Sequence, residues 1–217
     1  SGSRAAGAFG QVLETGVDPE AIIWGMPDGT SAAGGTTWNA VCNGRLTLTT
    51  AVAITTADVT AATTLYFTPF RGNQISTYSG TAWSTNTFTE KSITLATLTA
   101  GLPYDVFIVD GSLALELLAW TNGTTRATAL VLQDGVLVKS GATTRRYLGT
   151  ICIAATGQSE DSLLKRFIWN YYNRVERPMK AVDTTDSWTY AVTAWRQANN
   201  AAANKVEYVC GVSEDPV

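Results

Sequence analysis

Ala129-Leu130-Val131-Leu132-Gln133 and Val136-Leu137-Val138-Lys139 are two apolar runs separated only by Asp134-Gly135. A two-residue Asp-Gly link of this kind is a hairpin signal. A type I′ turn needs positive φ at both central residues, and Asp and Gly tolerate that conformation. Working outward, the same grammar recurs. Residues 147–153 form a strand candidate on one side. On the other, 104–109 and 113–120 flank Asp110-Gly111-Ser112. Further upstream, Ser92-Ile93-Thr94-Leu95 alternates polar and apolar, 74–78 and 81–84 flank Ser79-Gly80, Leu65-Tyr66-Phe67-Thr68 precedes Pro69, and Asn43-Gly44 opens Arg45-Leu46-Thr47-Leu48-Thr49. Short strands and turns at this spacing predict an all-β protein, a jelly-roll-like sandwich, rather than alternating βαβ units.

The downstream half is less regular. Glu160-Asp161-Ser162 is able to start a helix, yet Phe167, Trp169 and Tyr171 alternate with Ile168, Asn170 and Tyr172, which favours a strand covered on both faces. The final segment carries Ser187-Trp188-Thr189-Tyr190, then Ala194-Trp195-Arg196-Gln197, a polar loop at 198–204, and a last strand candidate at 205–212. Residues 1–40 read differently: Gly, Ala and Ser with Asp18-Pro19, Pro27-Asp28-Gly29 and Gly34-Gly35 as breakers, and few apolar anchors. The expected organisation is an extended N-terminal arm over 1–40, for attachment or interface contacts, and a β-sandwich domain over 41–217 with a candidate sub-boundary near 155–160.

Composition supports this reading. There are 33 Thr and 29 Ala against 5 Lys and 8 Glu, and the charged fraction is 15% where about a quarter is usual. Branched Thr suits the pleated surface of a sheet. The chain has no histidine, which removes Ser/His/Asp and Cys/His nucleophile systems, imidazole bases and His-containing zinc sites. A net charge of −3 provides no footprint for nucleic acid. No apolar run reaches the ~18 residues of a membrane-spanning helix; the longest, 113–120, is interrupted by Glu116. Three scattered cysteines form no disulfide framework, and Cys152 and Cys210, each beside apolar neighbours, are expected to behave as small core hydrophobes. Asn122-Gly123-Thr124 reads as a turn, although it matches a glycosylation sequon.

Few residues invite chemistry. Carboxylate pairs remain, because a glycosidase needs only two. Asp105, Asp110 and Glu116 fall in one expected hairpin; Asp110, Asp183 and Asp186 read as turn residues. Glu116 lies beside Leu118 and Trp120, and a structural ion pair with Arg126, Arg145 or Arg146 is the expected role. Among the aromatics, Trp83, Trp120 and Trp169 are assigned to packing, whereas Trp188, Tyr190 and Trp195 are the candidates for ligand or inter-subunit contact. Arg145-Arg146 and Arg174-Val175-Glu176-Arg177 are expected to make salt bridges at subunit or domain seams. There is no P-loop, GxGxxG, CxxC or EF-hand spacing, so neither cofactor nor metal is expected.

Several strings resemble one group of proteins: Thr64-Leu65-Tyr66-Phe67-Thr68-Pro69-Phe70, Ala100-Gly101-Leu102-Pro103-Tyr104-Asp105-Val106-Phe107, Leu118-Ala119-Trp120-Thr121-Asn122, and Gln133-Asp134-Gly135-Val136-Leu137-Val138-Lys139-Ser140-Gly141. They continue through Thr144-Arg145-Arg146-Tyr147-Leu148-Gly149-Thr150, Arg166-Phe167-Ile168-Trp169-Asn170-Tyr171-Tyr172-Asn173-Arg174 and Trp195-Arg196-Gln197-Ala198-Asn199-Asn200. Over 44–212 the chain resembles virion proteins of tailed bacteriophages and prophages, of the tail-fibre, head-fibre or capsid-decoration kind. The resemblance implies a β-structured, non-enzymatic virion component, made in the host cytoplasm, assembled as a homotrimer and contacting capsid or tail proteins. A capsid-bound role is preferred over a tail-fibre head that recognises a host surface glycan. A carbohydrate-binding module or glycoside hydrolase using Glu116 or Asp105 with Trp188 and Trp195 is the rival from another class.

Overall fold

A computed structural model describes residues 40–191 and 193–212, and the 1–40 arm lies outside the described residues apart from Ala40. The protein is all-β. Its strands are β1 (Gly44–Thr47), β2 (Val59–Ala62), β3 (Thr64–Pro69), β4 (Gln74–Tyr78), β5 (Trp83–Thr87), β6 (Lys91–Thr94), β7 (Pro103–Val109) and β8 (Leu115–Ala119). They continue as β9 (Leu130–Gln133), β10 (Val136–Lys139), β11 (Ala142–Ala155), β12 (Gln158–Asp161), β13 (Lys165–Arg166), β14 (Ile168–Asn170) and β15 (Glu207–Tyr208). A single 3-10 turn, Ala198–Asn200, is the helical element among the described residues.

The Asp134-Gly135 hairpin forms as read: Gln133 faces Val136, and the two turn residues have φ of 50° and 82°. Residues 122–125 also turn, with Asn122 Oδ1 accepting the backbone N–H groups of Thr124 and Thr125. The upstream hairpin is looser than the Ser79-Gly80 reading. Tyr78 faces Trp83, so the loop holds four residues, with Ser79 Oγ accepting the amide of Ala82 and closing it.

The central pair is β7 against β11, two strands buried on both faces. β11 is twice as long as the expected 147–153 strand, because β7 pairs along 145–152 while β10, β14 and β12 in turn pair with 142–146, 149–151 and 153–155. One face of this pair, with Tyr104, Val106, Ile108, Leu148, Ile151 and Ile153, closes on Leu46 of β1, Leu65 and Phe67 of β3 and Ile75 of β4. The three-stranded sheet β1-β3-β6 and the β4-β5 hairpin thus share one core with the large sheet. Asn170 bonds the two layers, its amide replacing a peptide: Leu46 N–H donates to Oδ1 at 2.7 Å and Nδ2 donates to Leu46 O at 3.1 Å.

A bulge in β11 changes which residues share a face. Tyr147 faces Phe107 and Gly149 faces Val106, leaving Leu148 as the additional residue. Tyr147 and Thr150 therefore point to the same side, opposite the core, with their oxygens 2.6 Å apart. Gly149 is required there, since a Cβ would lie 2.2 Å from the carbonyl oxygen of Trp169.

Three readings need correction. Residues 159–174 are neither a helix nor one strand but β12, β13 and β14 with breaks, because this segment passes between pairings with β11, β2 and β15. The 205–212 strand shrinks to β15, which pairs in parallel with β13. Cys210 is exposed rather than in the core; Cys152 is half-buried and Cys42 buried. Thr156 and Gly157 form the turn of the β11–β12 hairpin, with Gly157 at φ 72°.

Candidate functional site

The carboxylates on β7 and β8 are committed to cations. Glu116 accepts from Lys139 Nζ at 2.6 Å and from Arg145 Nε at 3.3 Å, so Arg145 is the partner among the three expected, joined by Lys139 across the sheet. Burial acts against its charge, but the hydrogen bonds and charges of Lys139 and Arg145 outweigh that and hold its carboxyl below the ordinary value. Asp110 sits in the β7–β8 turn and accepts the Thr77 hydroxyl at 2.5 Å. Asp183 caps a turn by accepting the Thr185 amide at 2.9 Å. Asp186 lies in an exposed bend.

Asp105 organises a buried network behind the β11 bulge. Its side chain is 1% exposed. Arg126 donates Nε–H to Oδ2 at 2.8 Å and Nη2–H to Oδ1 at 3.3 Å, and Thr150 donates its hydroxyl to Oδ1 at 2.7 Å. Thr150 has a single proton, already given to Asp105, so Tyr147 must donate to Thr150. Burial, the main cause, pushes the Tyr147 phenol well above its ordinary value. The Arg126 guanidinium also covers the Trp120 ring, 4.6 Å from its centroid, and donates Nη2–H to the carbonyl of Gly211. One arginine thereby connects the β7–β11 face to the C-terminal tail.

The arginine pairs make contacts within the described residues. Arg146 is buried within the domain, where it donates to the carbonyls of Val41 at 2.8 Å and Ser76 at 2.6 Å and covers the Tyr172 ring. Arg177 reaches Asp161 at 3.2 Å, and Arg174 stacks on Trp169 with its guanidinium carbon 4.9 Å from the ring centroid. Trp120 is buried, as expected of a packing residue. Trp83 and Trp169 are only half-buried, and Trp83 donates its indole N–H to Asp134 at 2.9 Å.

The expected contact residues lie on the tail, between β14 and β15, where the chain carries almost no regular structure. Trp188 is 48% and Tyr190 54% exposed, and the Trp195 ring is fully in solvent. Tyr190 donates its hydroxyl to the carbonyl of Ala194, and the Arg196 guanidinium covers its ring at 4.9 Å. Asn204 donates to Asp183 and to the carbonyl of Ala198 at 2.9 Å, closing the excursion on itself. Sequence reasoning located this surface but missed Val182 and Val206, exposed on the same segment, and Tyr208, exposed in β15. Val206, set between Lys205 and Glu207, carried a signal in its isolation; Val182 beside Ala181 and Tyr208 beside Val209 did not.

Compared with protein-family models, with curated proteins and with solved structures, the chain finds no match. Among the described residues, no group of three or more Cys, Asp or Glu side chains is placed to hold a metal ion. No helix among them is long and apolar enough to cross a membrane.

Proposed function

We propose that this chain is a structural protein of a tailed-bacteriophage virion, a homotrimer that decorates the capsid through a jelly-roll-like sandwich. The observation that carries the reading is the distribution of exposed apolar side chains. Of the ten large hydrophobics exposed among the described residues, Val182, Trp188, Tyr190, Trp195 and Val206 lie on the tail between β14 and β15, and Tyr208 follows in β15. Single exposed apolar residues are ordinary, but their concentration on one segment is what a contact surface presents. Aromatics are enriched at interfaces while Lys and Glu are depleted, and the chain has that bias throughout. The resemblance over 44–212 supports the virion assignment.

The test is native mass by light scattering behind a sizing column. The expected value is about three times 23.1 kDa, falling in Trp188→Ala/Trp195→Ala, together with binding to capsids that raises their thermal stability. A wild-type mass that stays at 23.1 kDa overturns the trimer.

A second reading, a tail-fibre head recognising a host surface glycan, is favoured by the indole of Trp195, which stands open beside polar neighbours as sugar-stacking rings do. It predicts cell binding by the isolated chain that Trp195→Ala abolishes. The glycosidase alternative fares worse, because a general acid needs a raised pKa and Glu116 has the opposite shift.

A further inference from the structure

A cleft lies between β1, β13, β14 and the irregular segment after β14. Its inner part is lined by Arg45, Asp161, Arg166, Asn170 and Arg177. An adjoining outer part shares Arg45, Asn170 and Arg177 and adds Arg174 beside Trp169. Among the described residues that line the inner part, the charges do not balance. Both oxygens of Asp161 are engaged: Oδ1 accepts from Arg166 Nη1 at 2.8 Å, and Oδ2 accepts the Thr55 hydroxyl at 3.3 Å and lies 3.2 Å from Arg177 Nη2 in a salt bridge. One carboxylate thus faces three guanidinium groups, a surplus of two positive charges.

Burial makes that surplus significant. Arg45 and Arg166 are 5% and 9% exposed. Arg45 donates Nε–H to Ala53 O at 2.9 Å and Nη1–H to Asn173 O at 2.5 Å, so its hydrogen bonds are met by carbonyl dipoles, which do not cancel its charge. Burial, followed by the Arg177 charge, depresses its pKa, while Asp161 raises it. Charges taken out of water are normally paired. Guanidinium forks match the planar or tetrahedral oxygens of carboxylate, sulfate and phosphate, and gain strength where water is excluded.

We propose that this cleft is a binding site for a small oxyanion, seated between Arg45 and Arg177 with Arg174 at its mouth. The acceptable ligands share one chemistry: a sulfate, a phosphate, or the carboxylate of an acidic sugar. The inference is independent of the assembly reading, because none of these residues belongs to the exposed tail aromatics.

The experiment is thermal unfolding of the full chain in sodium sulfate, phosphate or glucuronate from 0 to about 20 mM, with chloride added to hold ionic strength constant. Sulfate also stabilises proteins by exclusion from their surface, but that effect rises steadily with concentration and does not saturate. The expected result is a Tm that rises and then saturates with at least one of the three anions, with half-saturation shifted at least tenfold by Arg177→Gln. Arg174→Gln, an exposed substitution that leaves the buried pair intact, is expected to weaken binding several-fold. The anion that saturates lowest identifies the source. If none of the three raises Tm beyond chloride, or if the saturating rise is unchanged in Arg174→Gln and in a folded Arg177→Gln, the proposal is wrong. Should Arg177→Gln fail to fold, the Arg174→Gln titration decides alone.

Discussion

Replacing Arg126 by Met is the sharpest test of how the domain is held together. The Arg126 side chain is 22% exposed, its partner Asp105 1%. The substitution leaves Asp105 with Thr150 as its remaining donor among those described. Stranding one member of a buried pair costs about 3–5 kcal/mol, and partial access of water to the vacated position places this case near 3. Loss of the bond to Gly211 adds about 1 kcal/mol. Met retains part of the packing on Trp120, because its thioether is compatible with an aromatic face. The sum, about 4 kcal/mol, corresponds to a fall in Tm of about 8–16 °C for a chain of this size. Urea unfolding of Arg126→Met, Asp105→Asn and the double variant forms the cycle. Asp105→Asn removes the stranded charge, so the double variant should recover about 2 kcal/mol relative to additivity. A loss below about 1 kcal/mol for Arg126→Met, the range of an exposed pair, refutes the reasoning.

Three further outcomes are expected. Glu90 accepts from Thr50, Ala51 and Thr68 within 2.6 Å and, against the opposing effect of burial, lies like Glu116 below its ordinary pKa of 4.5. Their stabilisation is therefore present above about pH 4.5 and lost as pH falls through the depressed values; Glu116→Gln should flatten the acid limb of a stability–pH curve, and an unchanged limb removes the assignment. With a thiol reagent at neutral pH, Cys210 should react first, while Cys42, buried and pushed up to about 11 chiefly by burial, should react only on unfolding; rapid labelling of Cys42 in the native protein contradicts the core. Gly149→Ala should cost about 3 kcal/mol or more, since the backbone of Trp169 occupies the space a Cβ needs, and near-native urea stability would show that β14 does not lie where described.

What was legible in the sequence was local. Asp134-Gly135 specifies its turn through the conformations those two residues accept, and Asn122 closes its own loop. The all-β class follows from strands and turns at short spacing. The β7–β11 pairing joins segments about forty residues apart, and nothing in either states its partner or the bulge at Leu148. That bulge decides that Tyr147 and Thr150 meet Asp105, so Arg126 could be named among the cations near Glu116 but not matched to Asp105. The arginine cleft was hidden for the same reason: Arg45 is one alternating residue in β1, and Arg166 and Arg177 approach it only through the breaks after β12. Exposure of Trp188, Tyr190 and Trp195 was readable because polar residues surround them and no strand periodicity claims them.

The tail has one more implication. It departs at β14 and is regained at β15, Val209 and the Arg126 grip on Gly211, so both ends of the excursion are fixed by the sheet. Lengthening a loop between fixed ends costs only logarithmically, about 0.6 kcal/mol per doubling. Inheritance can therefore rewrite or extend the stretch bearing Trp188 and Trp195 without disturbing the β7–β11 frame.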